Sequence, residues 1–365
     1  MTTVIVSGAI ANKHRHGGSL WVRLSWAEGL RQLGFDVVFV DELRAGGSPE
    51  VFATVMRELG MPGALIDGTS VVGMPEEELL AHLDDAALLV NLGGHLRRPG
   101  LLRRVRTRAF VDLDPGYTQI WQATGHDVGL EHHHLYFTVG QNVGTRRSTI
   151  PAVGIRWRPI LQPVVLDRWP QGEGAFTSFT TVASWRGAFG PVSFGGRSYG
   201  VKAHQFRRYA GTPDACGVPF EIALDLDPAD HRDRERLRAA NWRLVDPQAV
   251  VATAGFAQFV RSSGAEFSVA QGVYVDTASG WFSDRTVRYL ASGRPAVVQD
   301  TGIRHTLPVG DGLLTFRTPA EAAVRATEVV EDYDRHRRAA RRMAEEYFAA
   351  DRALAPLLEA AGVAP

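Results

Sequence analysis

Cysteine is nearly missing from this chain, with one residue, Cys216, in 365. A single thiol excludes an intramolecular disulfide and a thiolate-only zinc site, and it suits a reducing cytoplasm. Excess charge of either sign is missing too. Lys plus Arg total 40 against 40 Asp plus Glu, which removes the global argument for a nucleic-acid partner. The local basic run Arg103, Arg104, Arg106 and Arg108 reads as a solvated face. No apolar run approaches the length needed to cross a bilayer, and the N-terminus enters a strand around Val4 without a signal-peptide pattern. A cytoplasmic protein with no integral membrane segment is therefore expected. Also absent is G-x-G-x-x-G. Gly8 is followed by Ala9, Ile10 and Ala11, and Gly17-Gly18 stands alone, which counts against a dinucleotide oxidoreductase.

What is present is an α/β pattern long enough for two cores, with 45% hydrophobic residues. The chain opens as strand 3–7, loop 8–18, helix about 19–33 and strand 36–40. In that helix Leu20, Leu24, Ala27, Leu30 and Leu33 recur at helical spacing, and Gly34 closes it. Further strands are expected at 88–91, 109–113 and 135–139. Each ends in Gly, Asp or Pro, at the carboxyl end where open parallel sheets bind ligands. Between residues 150 and 174 four prolines (Pro151, Pro159, Pro163, Pro170) interrupt any helical period, so a linker is placed at 161–174. It separates a domain of residues 1–160 from one of 175–340, with a helical tail at 341–365. The second domain is expected to run strand 176–184, helix 203–209, strand 220–224, helix 230–240 and strand 242–245.

The most informative stretch is 265–303, which reads as strand, loop, short helix, Ser-Gly-Arg-Pro turn and buried strand. Ser283 and Asp284 stand in N-cap-like positions with Arg285 in the first turn, so backbone N–H groups and one guanidinium can face the same anion. This pattern resembles the donor-side half of GT-B glycosyltransferases of the bacterial group 1 kind, with Leu290-Ala-Ser-Gly-Arg-Pro-Ala-Val-Val298 in the family's "EALACGxPVV" position. The resemblance implies two Rossmann-like α/β domains facing across a cleft, and sugar transfer from a nucleotide-diphosphate sugar to a hydroxyl or amine of a small-molecule or glycan acceptor. It implies no cofactor and no bound divalent ion. Retaining members often carry two glutamates eight positions apart here, whereas this chain has Gly280 and Arg288, so a retaining mechanism is not supported and inversion is not established.

On the donor side Arg285 is the first choice for the diphosphate, its planar fork suiting phosphate oxygens, with Ser283, Asp284 and Thr286 at the same helix start. Trp185, Arg186 and Lys202 flank a glycine-rich loop that permits close backbone approach. Asp246 is either near the base or ribose or a turn starter before Pro247, Glu266 either accepts from ribose hydroxyls or caps a loop, and Asp300 and Thr301 face the sugar or phosphate. On the acceptor side His16, then His14, are candidate general bases because imidazole titrates near neutrality, with Asp114 to orient a histidine or replace it. Asp112, His95, Gly17 and Gly18 complete that side. Glu131-His132-His133-His134 is not read as a metal site, since adjacent positions do not converge in an extended chain. A nucleotide-sugar epimerase of the same shape and a non-catalytic sugar-nucleotide-binding protein are the alternatives.

Overall fold

The structure is a computed structural model that describes residues 1–172, 174–187 and 189–365. Glu173, in the expected linker, and Ala188, in the glycine-rich loop, lie outside the described residues. The chain divides into two compact units: residues 1–140, 152–165 and 348–365, and residues 141–151 and 166–347.

The first unit is built on strands β1 (Thr3–Ser7), β2 (Asp36–Glu42), β3 (Gly63–Asp67), β4 (Ser70–Val72), β5 (Leu88–Leu92), β6 (Arg108–Asp112), β7 (Leu135–Thr138) and β8 (Arg158–Pro159), in the sheet order 4-3-2-1-5-6-7-8. Every pair is parallel except the β3–β4 hairpin. Strands covered on both faces need continuous apolar runs, and every residue of β1 and β5 is buried. The first strand lies in the middle, between β2 and β5, which makes their carboxyl ends the topological switch point. Helix α1 (Gly17–Gln32) covers one face with Leu20, Leu24, Trp26, Ala27 and Leu30. It begins two residues earlier than its periodicity predicts, so Gly17 and Gly18 form its first turn and His16 precedes it.

The second unit carries a six-stranded parallel sheet. Its strands are β9 (Phe179–Ser184), β12 (Phe220–Asp225), β13 (Trp242–Val245), β14 (Ala265–Ser268), β15 (Ala296–Gln299) and β16 (Leu313–Phe316), in the order 13-12-9-14-15-16. A separate hairpin joins β10 (Val192–Phe194) to β11 (Arg197–Tyr199). Phe179, Phe220, Trp242, Phe267 and Phe316 stack through its core, with Phe267 and Phe316 rings 5.1 Å apart. Again the first strand is central, so the β9–β14 seam is the switch point of this sheet. Helices α2 (Lys202–Tyr209) and α3 (Asp284–Ala291) follow the two strands of the seam, α2 after the β10–β11 hairpin that succeeds β9 and α3 after the short helix Gly272–Asp276 that succeeds β14.

The tail departs from the expected division. Helix α4 (Pro319–Glu331) stays with the second unit, whereas α5 (Ala350–Ala361) belongs to the first. Gly29 explains its seat against α1: a side chain there would meet Leu354 Cδ1 at 3.0 Å and Ala350 Cβ at 3.1 Å. Hydrophobic periodicity announces an apolar face on such a helix but not the surface that receives it.

Candidate functional site

The helix start singled out in the sequence sits at the β9–β14 seam, but two of its side chains, Asp284 and Arg285, are already engaged. Ser283 caps α3 with extended backbone (φ −69°, ψ 130°) and makes no side-chain cap bond, and the Asp284 carboxylate accepts from Arg288 Nη1 at 3.2 Å. Arg285 turns inward. Its Nε donates to Glu266 Oε1 at 2.5 Å, Nη1 to the Val182 carbonyl at 2.7 Å and Nη2 to Ser268 Oγ at 2.8 Å, so one guanidinium stitches β9 to β14. Burial alone would lower its pKa, but the Glu266 carboxylate outweighs that and holds the charge. Glu266 itself is fully buried, and its Oε2 has no partner among the described residues. In this structure Glu266 serves Arg285 instead of facing solvent, where a ribose hydroxyl would meet it.

Lys202 is different. It is the first residue of α2, half-buried, and has no hydrogen-bond or ion-pair partner among the described residues. Burial first, and then the charge of Arg285, bring its pKa down to about 7 against the opposing pull of Glu266 and Asp284. Two cations thus share one neighbourhood at the carboxyl end of the seam, and only one of them is balanced by a close carboxylate. Beside them a small cavity opens between Ser268, Trp281, Ser283, Thr286 and Gln299, and the buried Thr286 Oγ1 lacks a partner among the described residues.

Other expected donor contacts hold the protein together. Trp185 is buried, packs on Phe206 and donates Nε1–H to Asp233 at 2.8 Å. Arg186 forms a two-pronged pair with Asp230, and Asp246 resolves as the turn starter, accepting from the Gln248 N–H at 2.9 Å. Asp300 accepts from the Gly302 N–H and from Arg317, and Thr301 donates to the Trp281 carbonyl at 2.5 Å. Sequence reading missed Asn142, whose amide donates to the carbonyls of Ala278 and Gly302. Its signal was a pair of glycines. Gly280 (φ 71°) and Gly302 (φ 89°) adopt left-handed backbone where a side chain would come within 2.8 and 2.6 Å of Asn142.

In the first unit the expected residues cluster at the carboxyl ends of β1, β5 and β6. Asp112 is enclosed, accepting from Thr118 and Thr138 hydroxyls, the Gln119 amide and the Asp114 N–H; burial raises its pKa against those bonds. Those four bonds make it a brace at the end of β6. Asp114 is half-buried, and its charge is felt by Lys13, in the loop leading to His14 and His16. It also adds to the burial that pushes Tyr117 up to about 12. His14 Nδ1 lies 3.0 Å from the Ala11 carbonyl, and His16 is exposed at the head of α1. His95 is buried against Asp41, Nε2 to Oδ1 2.5 Å, and so braces the loop after β5. Asp41, which sequence reading left without a role, also accepts from the Ile10 and Ala11 N–H groups at 2.8 and 2.6 Å and thereby fixes the first loop. The histidine run diverges: His133 meets Asn91 in the core, where burial lowers it to about 4, while His134 meets Arg108.

No protein-family model matches the chain, and no curated protein does. Solved structures do. AviGT4, a glycosyltransferase of avilamycin A biosynthesis, is 16% identical with a TM-score of 0.60, over 99% of this chain and 97% of its own. Anabaena Alr3699/HepE in complex with UDP-glucose is 11% identical with a TM-score of 0.61, over 99% and 100%. An alpha-glucosyltransferase in complex with UDP is 10% identical with a TM-score of 0.57, over the whole of both chains. The chain has the GT-B fold. Within that fold the departure at the two glutamate positions has a structural counterpart. Arg288 is buried, lies 5.9 Å from the Trp169 ring centre and donates back to Asp284, while Gly280 gives Asn142 its seat.

Proposed function

We propose that this GT-B protein is a glycosyltransferase that takes its sugar from a nucleoside-diphosphate donor, with UDP-glucose as the first donor to test. The observation that carries the reading is the unpartnered, half-buried Lys202 beside Arg285, at the switch point of a parallel sheet and next to the start of α3. A diphosphate there gains the ammonium, the remaining guanidinium N–H groups and the N–H groups of the helix start, which together stabilise the charge that grows on the leaving group. Arg285 contributes less than a free arginine would, because Glu266 already offsets its charge. Positive side chains and helix N–H groups suffice for this work, so turnover is expected to survive EDTA.

In the first unit His16 takes the acceptor proton, with Asp114 and His14 in reserve, on a loop held by Asp41. His16→Ala is expected to lower kcat by about 10²–10⁴-fold with little change in donor affinity. Retention of normal kcat by His16→Ala together with its loss in Asp114→Asn would make the carboxylate the base. The reading as a whole is tested by calorimetric titration with UDP and UDP-glucose, then by nucleotide release on adding acceptors. Tight binding without acceptor-dependent release points to a binding protein; absence of any nucleotide binding sinks the donor site.

A further inference from the structure

The second unit holds a larger cavity that the donor site does not use. It has a volume of about 270 Å³, lies at the carboxyl end of β15, and meets the small cavity described above at Gln299. Three arginines line it, Arg147, Arg208 and Arg317, together with His305. Its one carboxylate, Asp300, is already met by Arg317 at 2.8 Å and Arg304 at 3.4 Å. Its two amides are spent as well. Asn142 donates to Ala278 and Gly302, and Gln299 donates to Gln205 and Tyr209 while accepting from the Ala270 N–H. What remains unspent is positive. The Arg147 guanidinium has no hydrogen-bond or ion-pair partner among the described residues, and the one hydrogen bond of Arg208 goes to a neutral amide, Gln205 Oε1, at 3.2 Å.

We propose that this cavity is a second anion site, in which Arg147 and Arg208, with Arg317 at its edge, take a carboxylate or phosphate group carried by the substrate. The inference rests on the glycosyltransferase reading for its function, not for its chemistry. Two forked guanidinium groups that no carboxylate hydrogen-bonds, with the Asp276 charge near Arg208 as the one acidic neighbour it feels, match a planar carboxylate or a phosphate face better than a neutral hydroxyl. Two sources fit: an acidic sugar on the donor, since the cavity adjoins the donor site through Gln299, or a separate acidic acceptor.

The full chain is titrated by calorimetry with glucose 6-phosphate, glucuronate and glucose, each with and without UDP, and separately with UDP-glucuronate and UDP-glucose. The expected result is at least a tenfold preference for the acidic ligand over its neutral counterpart, lost in the Arg147→Gln, Arg208→Gln double variant while UDP affinity stays unchanged. A preference seen with free glucose 6-phosphate or glucuronate assigns the anion to a separate ligand; one seen only between the two UDP-sugars assigns it to the donor. No preference in the wild-type chain, or one that survives in the double variant, overturns the proposal. If UDP does not bind but glucose 6-phosphate does, the donor reading fails and the anion site stands.

Discussion

A lysine that titrates near 7 in the folded chain and near 10.5 in the unfolded one makes stability and binding run in opposite directions with pH. Between those values the unfolded chain binds more protons, so this residue makes stability rise from about pH 7 to pH 10. Over the same range the ammonium is lost and diphosphate affinity falls. Lys202→Met is expected to stabilise the protein at neutral pH, to flatten that rise, and to weaken UDP binding at pH 6.5 by roughly tenfold. Urea midpoints at pH 7 and 9, beside calorimetry at pH 6.5 and 8.5, check all three. Arg285 behaves otherwise. Arg285→Ala abandons Glu266 at zero exposure and is expected to cost about 3–5 kcal/mol, read as a lower urea midpoint, with much of it recovered when Glu266→Leu is added. Of the two cations the sequence made prominent, the arginine is the more structural. The reason was not legible: Glu266, Ser268 and Val182 come together only when β9 and β14 pair, and no local pattern encodes that pairing.

Among the elements, legibility followed burial. β1, β5 and the helix Asp284–Ala291 stood out because strands covered on both faces, and a helix with a cap before its first turn, leave local signatures. The loops did not. Trp185 and Asp300 have the composition of ligand contacts, yet Asp233 and Arg317 claim them from 48 and 17 residues away. The glycines were the better guide. Gly280→Ala forces a left-handed residue against the Asn142 N–H at 2.8 Å and is expected to cost about 1–3 kcal/mol. Because the strained loop leads into Ser283 and α3, UDP affinity is expected to drop with it, whereas Gly60→Ala, where nothing lies within 4 Å, leaves UDP affinity unchanged. Equal UDP affinity in the two variants would show that this loop does not shape the donor site.

At the scale of the whole molecule the chain passes out of its first unit, builds the second and returns. Residues 348–365 give the first unit α5 against Gly29, and the Val164 N–H donates to the Phe348 carbonyl at 2.8 Å beside the bridge from Val164 to Ala349. Ending the chain after Tyr347 is therefore expected to strip hydrogen-exchange protection from β1 and β2 while leaving β9, β14 and UDP binding intact. Protection lost evenly from both sheets would contradict that division. The same route sets an order on synthesis. The ribosome delivers the first unit's sheet early but its closing helix only after the whole of the second unit, so the second unit finishes first and the nascent N-terminal sheet waits with the apolar flank of α1 uncovered. Of the two halves, it is the one that begins the chain that is expected to gain protease resistance last during synthesis.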